Sequence, residues 1–235
     1  MSYPTVQFDK VYKEVLRATG RPETLIALLT AAQQENIAEL INEQLAEFFE
    51  EGFWPGTYET EQRTIDATDK YILKAASGET VIGRIEPEEC FFADEPQPGS
   101  LKDVLGLVED RGDRIVCFDE DCPAQPWIRF QIPPPQFTRS VYSDATTYAL
   151  AQLTYDETTG ECYKSLQAAN LDHAVTETAW WEKVNFPALA ETYIKWSASS
   201  EWMSIDDGKY QQMERANRVL DRLVDKHLPR LQVGR

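Results

Sequence analysis

The apolar positions change period three times along this chain. Phe8, Val11, Tyr12, Val15 and Leu16 fall three and four residues apart, which places them on one face of a helix. Gly20 and Pro22 follow, a C′ glycine and a proline that cannot continue the helix, so it is expected to end there. A second helix opens at Thr30, which with Gln33 three residues on makes a capping box. Its apolar stripe, Ile37, Leu40, Ile41, Leu45 and Phe48, runs as far as Gly52. On another face Glu35, Glu39, Glu43 and Glu47 recur every fourth residue. Like charges at that spacing repel by about a few tenths of a kcal/mol per pair. The row is either a solvated face or one presented to a basic neighbour or a negatively lined channel.

After Phe53-Trp54-Pro55-Gly56 the pattern turns to short β-branched and aromatic runs. Strands are expected at Thr64-Ile65, Tyr71 to Leu73, Thr80 to Ile82, Val104 to Val108, Ile115 to Phe118 and Trp127 to Ile132. Turn residues separate them at Ser77-Gly78, at Pro96 to Gly99 and at Asp110 to Asp113. Ile128, Phe130 and Ile132 alternate with Arg129 and Gln131, the mark of a strand with one buried face. Pro133-Pro134-Pro135 cannot lie in a central strand and reads as a stiff extended exit.

From Tyr142 to Phe186 the chain is small and aromatic, with Tyr148, Tyr155, Tyr163, Trp180 and Trp181. Tyr155 and Tyr163 flank Asp156 to Gly160, which reads as a hairpin turn. A segment this short is hard to stabilise alone and should lean on a neighbour. Trp180 and Trp181 are adjacent, so in an extended segment one points inward and the other outward. Helical period then returns. Pro187 suits the first position of a helix with the stripe Leu189, Tyr193, Trp196 and Met203. Asp206-Asp207-Gly208 breaks it, and a last helix carries Met213, Leu220, Leu223, Val224 and His227. The expected class is α+β. Residues 1–56 and 187–235 make a helical core from both ends, 57–140 a β-rich insertion, and 141–186 a small aromatic β unit.

Charge narrows the possible partners. Lys and Arg total 23 against 40 Asp and Glu, a net charge of −17. Such a chain does not bind DNA phosphates or anionic lipid through its charge, since both attract cations. With 42% hydrophobic and 11% aromatic residues it has material for a core. Its apolar runs are too short for a membrane helix. The opening Met1 to Thr5 lacks a charged n-region and an apolar h-region, so no secretory signal is expected there. These features predict an acidic, soluble globular protein made inside the cell.

Catalytic patterns are absent from the sequence: it shows no phosphate loop, no nucleophile elbow and no paired-His metal motif. His173 reads as a loop residue without a partner and His227 as a helix-end cation. Cys117 and Cys122 lack the further ligands a zinc site wants and read as thiols, or as a local disulfide in an assembled particle. Arg111-Gly112-Asp113 is read as turn chemistry. Glu88 and Glu89, as strand neighbours, would point to opposite faces and could not share a catalytic site. Neither a cofactor nor a metal is expected. Tyr163, Trp180 and Trp181 have two readings, the core of a tiny domain or a face that stacks on sugar rings.

Four stretches carry a family resemblance. They are Phe8 to Pro22 with the helix ending Glu50-Glu51-Gly52-Phe53-Trp54-Pro55; Pro126 to Phe130 running into Pro133-Pro134-Pro135-Gln136-Phe137-Thr138; Tyr148 through Cys162-Tyr163-Lys164-Ser165 to Trp180-Trp181-Glu182-Lys183-Val184; and the terminal helices around Asp206-Asp207-Gly208. Together they resemble the head-to-tail adaptors (connectors) in the neck of tailed bacteriophages. The third stretch by itself is similar to small chitin-binding-type carbohydrate-binding modules. The adaptor resemblance implies a non-enzymatic virion protein made in the host bacterial cytoplasm. It implies a homo-oligomeric ring, usually of twelve copies, that docks on the portal protein and meets tail or neck proteins. It also implies passage of DNA without specific binding, and no membrane. On this reading Lys226, Arg230 and Arg235, at the basic end, are the portal-docking candidates, and Glu35, Glu39, Glu43 and Glu47 face the channel. Tyr163, Trp180 and Trp181 contact a sugar or an adjacent subunit. The alternative is a carbohydrate-binding virion or surface protein that works through the aromatic module.

Overall fold

The computed structural model of the chain describes residues 4–19, 23–52, 54, 57–66, 68–76, 79–85, 91–92, 108–118, 122–205 and 218. In chain order the elements begin with β1 (Thr5–Val6), α1 (Phe8–Ala18), a 3-10 turn (Glu23–Leu28) and α2 (Ala31–Glu51). There follow β2 (Tyr58–Gln62), β3 (Tyr71–Leu73), β4 (Phe91–Phe92), β5 (Val108–Asp110), β6 (Arg114–Cys117) and β7 (Trp127–Gln131). The chain continues through β8 (Leu153–Asp156), β9 (Glu161–Ser165), β10 (Trp181–Val184), β11 (Phe186–Pro187) and α3 (Ala190–Ile205). The class is mixed α+β, with small antiparallel sheets. Two compact units divide the chain: Met1–Gly52 with Pro134–Arg235, and Phe53–Pro133.

In the first unit α1 buries Phe8, Val11, Tyr12, Val15 and Leu16, the five positions its spacing predicts. Thr19 finishes the helix by donating its hydroxyl to the Leu16 carbonyl at 2.7 Å. The expected stop at Gly20 and Pro22 lies outside the described residues. α2 begins at the Thr30 capping box: the Gln33 N–H donates to Thr30 Oγ1 at 3.3 Å, and the Thr30 N–H donates to Gln33 Oε1 at 2.9 Å. Ile37, Ile41, Leu45 and Phe48 are buried, and Leu40 is half-buried.

α3 packs against both α1 and α2. Of its expected stripe Tyr193 is buried, while Leu189 and Trp196 are half-buried. The positions with no solvent contact are instead Ala190, Ile194, Ala198 and Ser199, with Ser197 and Ser200 nearly as enclosed. A helix held on two sides needs small residues where backbones approach, so a single large-residue stripe does not mark its buried surface. Pro187 does not open α3. It lies in β11, paired with Thr5, while Phe186 pairs with Val6. Proline has no N–H to donate and is tolerated at such an edge position. The helix expected beyond Asp206-Asp207-Gly208 lies outside the described residues apart from Arg218.

The aromatic segment forms a three-stranded antiparallel sheet ordered β10-β9-β8. Residues 140–142 run beside β8: the Tyr155 N–H donates to the Ser140 carbonyl at 2.7 Å, and the Tyr142 N–H to the Tyr155 carbonyl at 2.8 Å. The β8–β9 turn closes with the Gly160 N–H on the Asp156 carbonyl at 2.8 Å, where the sequence predicts a hairpin. Gly160 has φ +70°, the left-handed region in which a side chain is strained.

The second unit holds two three-stranded sheets, β2-β7-β4 and β3-β6-β5. Ile65, Ile72, Ile82, Ile85, Val108, Ile115, Cys117, Ile128 and Phe130 form its core. Ile128 and Phe130 alternate inward on β7 as expected, but Gln131 is buried too. Its side-chain amide donates to the Thr57 hydroxyl at 3.0 Å, which satisfies it there. Ile65 and Ile82, expected in strands, reach the core from extended segments outside any strand. β2, Tyr-Glu-Thr-Glu-Gln, has no apolar alternation, and its partner β7 makes it a strand. Arg111-Gly112-Asp113 forms the β5–β6 turn, with Gly112 at φ +78°. Cys117 is a buried free thiol, and the half-buried Cys122 donates its thiol to the Pro123 carbonyl at 3.8 Å. Val104 to Leu107, Pro96 to Gly99 and the Glu88-Glu89 pair lie outside the described residues.

Candidate functional site

The glutamate row splits in two. Glu39, Glu43 and Glu47 are exposed along α2. Glu35 is half-buried and fully engaged: Oε1 accepts the Thr138 hydroxyl at 2.7 Å, and Oε2 accepts the Arg139 N–H at 2.7 Å. It anchors the strap of residues 137–140 and presents no open carboxylate to a channel. Asn42, two turns along, grips the same strap by donating to the Phe137 carbonyl and accepting its N–H, both at 2.8 Å. Sequence spacing could not separate Glu35 from the other three, because Thr138 and Arg139 are about a hundred residues away. Glu201 of α3 adds to the acidic face. Burial and the nearby charges of Glu43 and Glu47 push its carboxyl pKa up, against the Gln44 amide that donates to it at 2.7 Å.

The strap leads to an ionic node. Arg139 bonds Asp9 at 3.1 Å, with its guanidinium 3.9 Å from the Tyr155 ring centroid and 4.6 Å from that of Tyr12. The Tyr155 hydroxyl donates to the same Asp9 oxygen at 3.0 Å. Burial raises the Asp9 pKa, but hydrogen bonds from Lys13 and Tyr155 and the charges of Lys13 and Arg139 outweigh it and hold the carboxyl below its usual range. Burial pushes Tyr12 up to about 12 and raises Tyr155 as well. Cys162, in register beside Tyr155, donates its thiol to the Thr138 carbonyl at 3.2 Å. One face of the module sheet is thereby fastened to α1 and the strap.

Its other face holds the aromatic residues. Trp181, Tyr148 and Val175 are buried together, with Tyr142, Tyr163 and Trp180 packed against them. Trp181 is 2% exposed and Trp180 half-buried, but Trp180 lies in the turn before β10 and packs against the same cluster, so the alternation of an extended segment does not describe the pair. His173 has partners that the sequence reading missed. Its ring stacks on Trp180 with centroids 3.6 Å apart and planes 12° apart, and its Nδ1 lies 3.0 Å from Glu177. Its carbonyl accepts the Trp181 indole N–H at 2.8 Å and the Tyr142 hydroxyl at 2.9 Å. His173, with the bond it makes, also heads the interactions that hold the Glu177 pKa down. Tyr163, Trp180 and Trp181 are therefore one cluster, in which Trp181 is enclosed and one face of Trp180 carries an imidazole.

Lys226, Arg230 and Arg235 lie outside the described residues. Among the described residues no group of His, Cys, Asp and Glu could hold a metal ion, and no helix is long and apolar enough to cross a membrane. No protein-family model matches the chain, and no curated protein matches it.

Proposed function

We propose that this protein is a head-to-tail adaptor in the neck of a tailed bacteriophage, a structural ring that docks on the portal, extends the DNA channel and gives the tail its platform. The role is mechanical and involves no catalysis. The observation that carries the reading is the packing of α3 on both α1 and α2, which joins early and late parts of the chain in one helical unit. Such packing supports the helical core that the resemblance implies, while the long β-rich insertion departs from a minimal adaptor. The acidic excess supports a lumen through which DNA passes without sticking. Lys226, Arg230 and Arg235 are the cations proposed to meet the portal.

The test is assembly. Electron microscopy and native mass spectrometry of the purified chain should find a closed ring, with a dodecamer as the expected copy number, that co-sediments with portal particles. Deleting residues 229–235 should leave the ring and reduce that co-sedimentation. A chain that stays monomeric with and without portal rejects the reading.

A second reading, glycan binding by the module, is favoured by the partial exposure of Trp180. The imidazole on its face and the enclosure of Trp181 leave less aromatic surface for a sugar than the sequence suggests. Packing on an adjacent subunit uses the same surface and agrees with a neck position. Glycan-array binding abolished by Trp180→Ala in a folded protein would reverse this preference.

A further inference from the structure

Lys10, Lys13 and Arg17 recur three and four residues apart on one side of α1, and with Gln7 and Asp9 they line a groove of about 250 Å³. Each cation already has a carboxylate of its own chain: Lys10 meets Glu191 at 2.6 Å, Lys13 meets Asp9, and Arg17 meets Glu14 at 2.5 Å. Yet 40–55% of each cationic side chain remains exposed. Ion pairs this open contribute little by themselves, so a second carboxylate can join them at small cost. On α2, Glu39, Glu43 and Glu47 have no ion pair among the described residues. Each repels the one a turn away. The two rows match in length. At the helical rise, Glu39 to Glu47 covers about 12 Å and Lys10 to Arg17 about 10 Å.

We propose that the α1 cation row of one copy receives the α2 glutamate row of a second copy, so that the lateral contact of the ring is a charge seam between two different helix faces. The inference rests on the ring reading above and names the surface that builds the ring. Closing a ring of more than two copies requires two distinct faces in head-to-tail contact. This helical unit carries a row of carboxylates without an ion pair among the described residues on α2, and a row of half-exposed, internally paired cations on α1. Such a seam relieves the repulsion along α2 and, through charge complementarity, sets the orientation in which copies meet. It places the glutamate row between subunits and not on the lumen.

Native mass spectrometry and size-exclusion chromatography of the full chain at low salt decide it, with circular dichroism as the check on folding. K10E/K13E/R17E has two acidic rows and E39K/E43K/E47K has two basic ones, so each variant alone should run as a single chain. Mixed in equal amounts, they should recover rings of alternating composition, because every seam then again joins opposite charges. Should the α1 variant fail to fold, having lost its internal pairs, the α2 variant decides alone. Wild-type rings that persist in E39K/E43K/E47K overturn the seam and leave the ring reading standing. So does a mixture of two folded variants that stays dissociated. A wild type that never assembles rejects the ring reading itself, and the seam with it.

Discussion

Arg139 is 7% exposed in its side chain and lies between two tyrosine rings with one carboxylate to answer its charge. Removing one member of an enclosed ion pair leaves the other desolvated, which costs about 3 kcal/mol or more. Arg139→Ala should lower stability by about that amount in urea unfolding, because Asp9 loses the guanidinium and the Tyr12 and Tyr155 rings lose the cation packed on them. Asp9 makes the node sensitive to acid. Its folded pKa is below the unfolded value near 3.9, so its stabilisation is complete above that value and is lost as pH falls through the folded one. Asp9→Asn should therefore melt well below wild type at pH 7, and the gap should narrow at about pH 3. An equal gap at both pH values would mean that the side chain contributes through its shape and not its charge.

At the scale of elements, α1 gets its N-terminal cap from a distant turn. Gln7 at the N-cap makes no side-chain bond to the helix N–H groups, and the Asp9 N–H donates instead to the Gly160 carbonyl at 3.0 Å. A Cβ at Gly160 would stand 2.9 Å from Asp9 Cβ and from Gln7 Nε2, in a left-handed backbone conformation. Gly160→Ala should cost about 1–2 kcal/mol from the backbone alone, and more once the turn moves off the helix. Chemical denaturation will measure the loss. α3 makes the opposite demand. Ala198 has no solvent contact, so Ala198→Leu should destabilise by about 1–3 kcal/mol through overpacking, read as a lowered melting temperature.

The whole molecule joins sequence-distant parts. Lys10 with Glu191 and Glu14 with Lys195 tie α1 to α3, Tyr193 donates its hydroxyl to Glu51 of α2 at 2.8 Å, and the strap lies on Glu35 and Asn42. Residues 134–235 made alone should fail to give cooperative melting, because α3 would expose the surfaces that α1 and α2 cover. Co-expression with a tagged 1–52 fragment should recover a complex that co-purifies and melts cooperatively. Independent folding of 134–235 would show that the first two helices are not required. The segment Phe53–Pro133 has its own isoleucine-rich core, and the charge on Arg63 is answered within it by Glu61 and Glu79.

The local grammar of the chain was legible from residue order alone. The five buried positions of α1, the Thr30–Gln33 cap, the inward alternation of Ile128 and Phe130 and the Gly160 turn all depend on neighbours within a few residues. Period and capping chemistry are sufficient for these, because helix and strand geometry repeat over that range. What tertiary structure decided were the partners. Glu35 belongs with Thr138 and Arg139, His173 covers Trp180, β2 is a strand because β7 is beside it, and Pro187 pairs with Thr5. α3 buries alanines and serines because two helices lie against it. A free carboxylate and an anchoring one have the same letter in the sequence. Only the fold brings up the donor that distinguishes them.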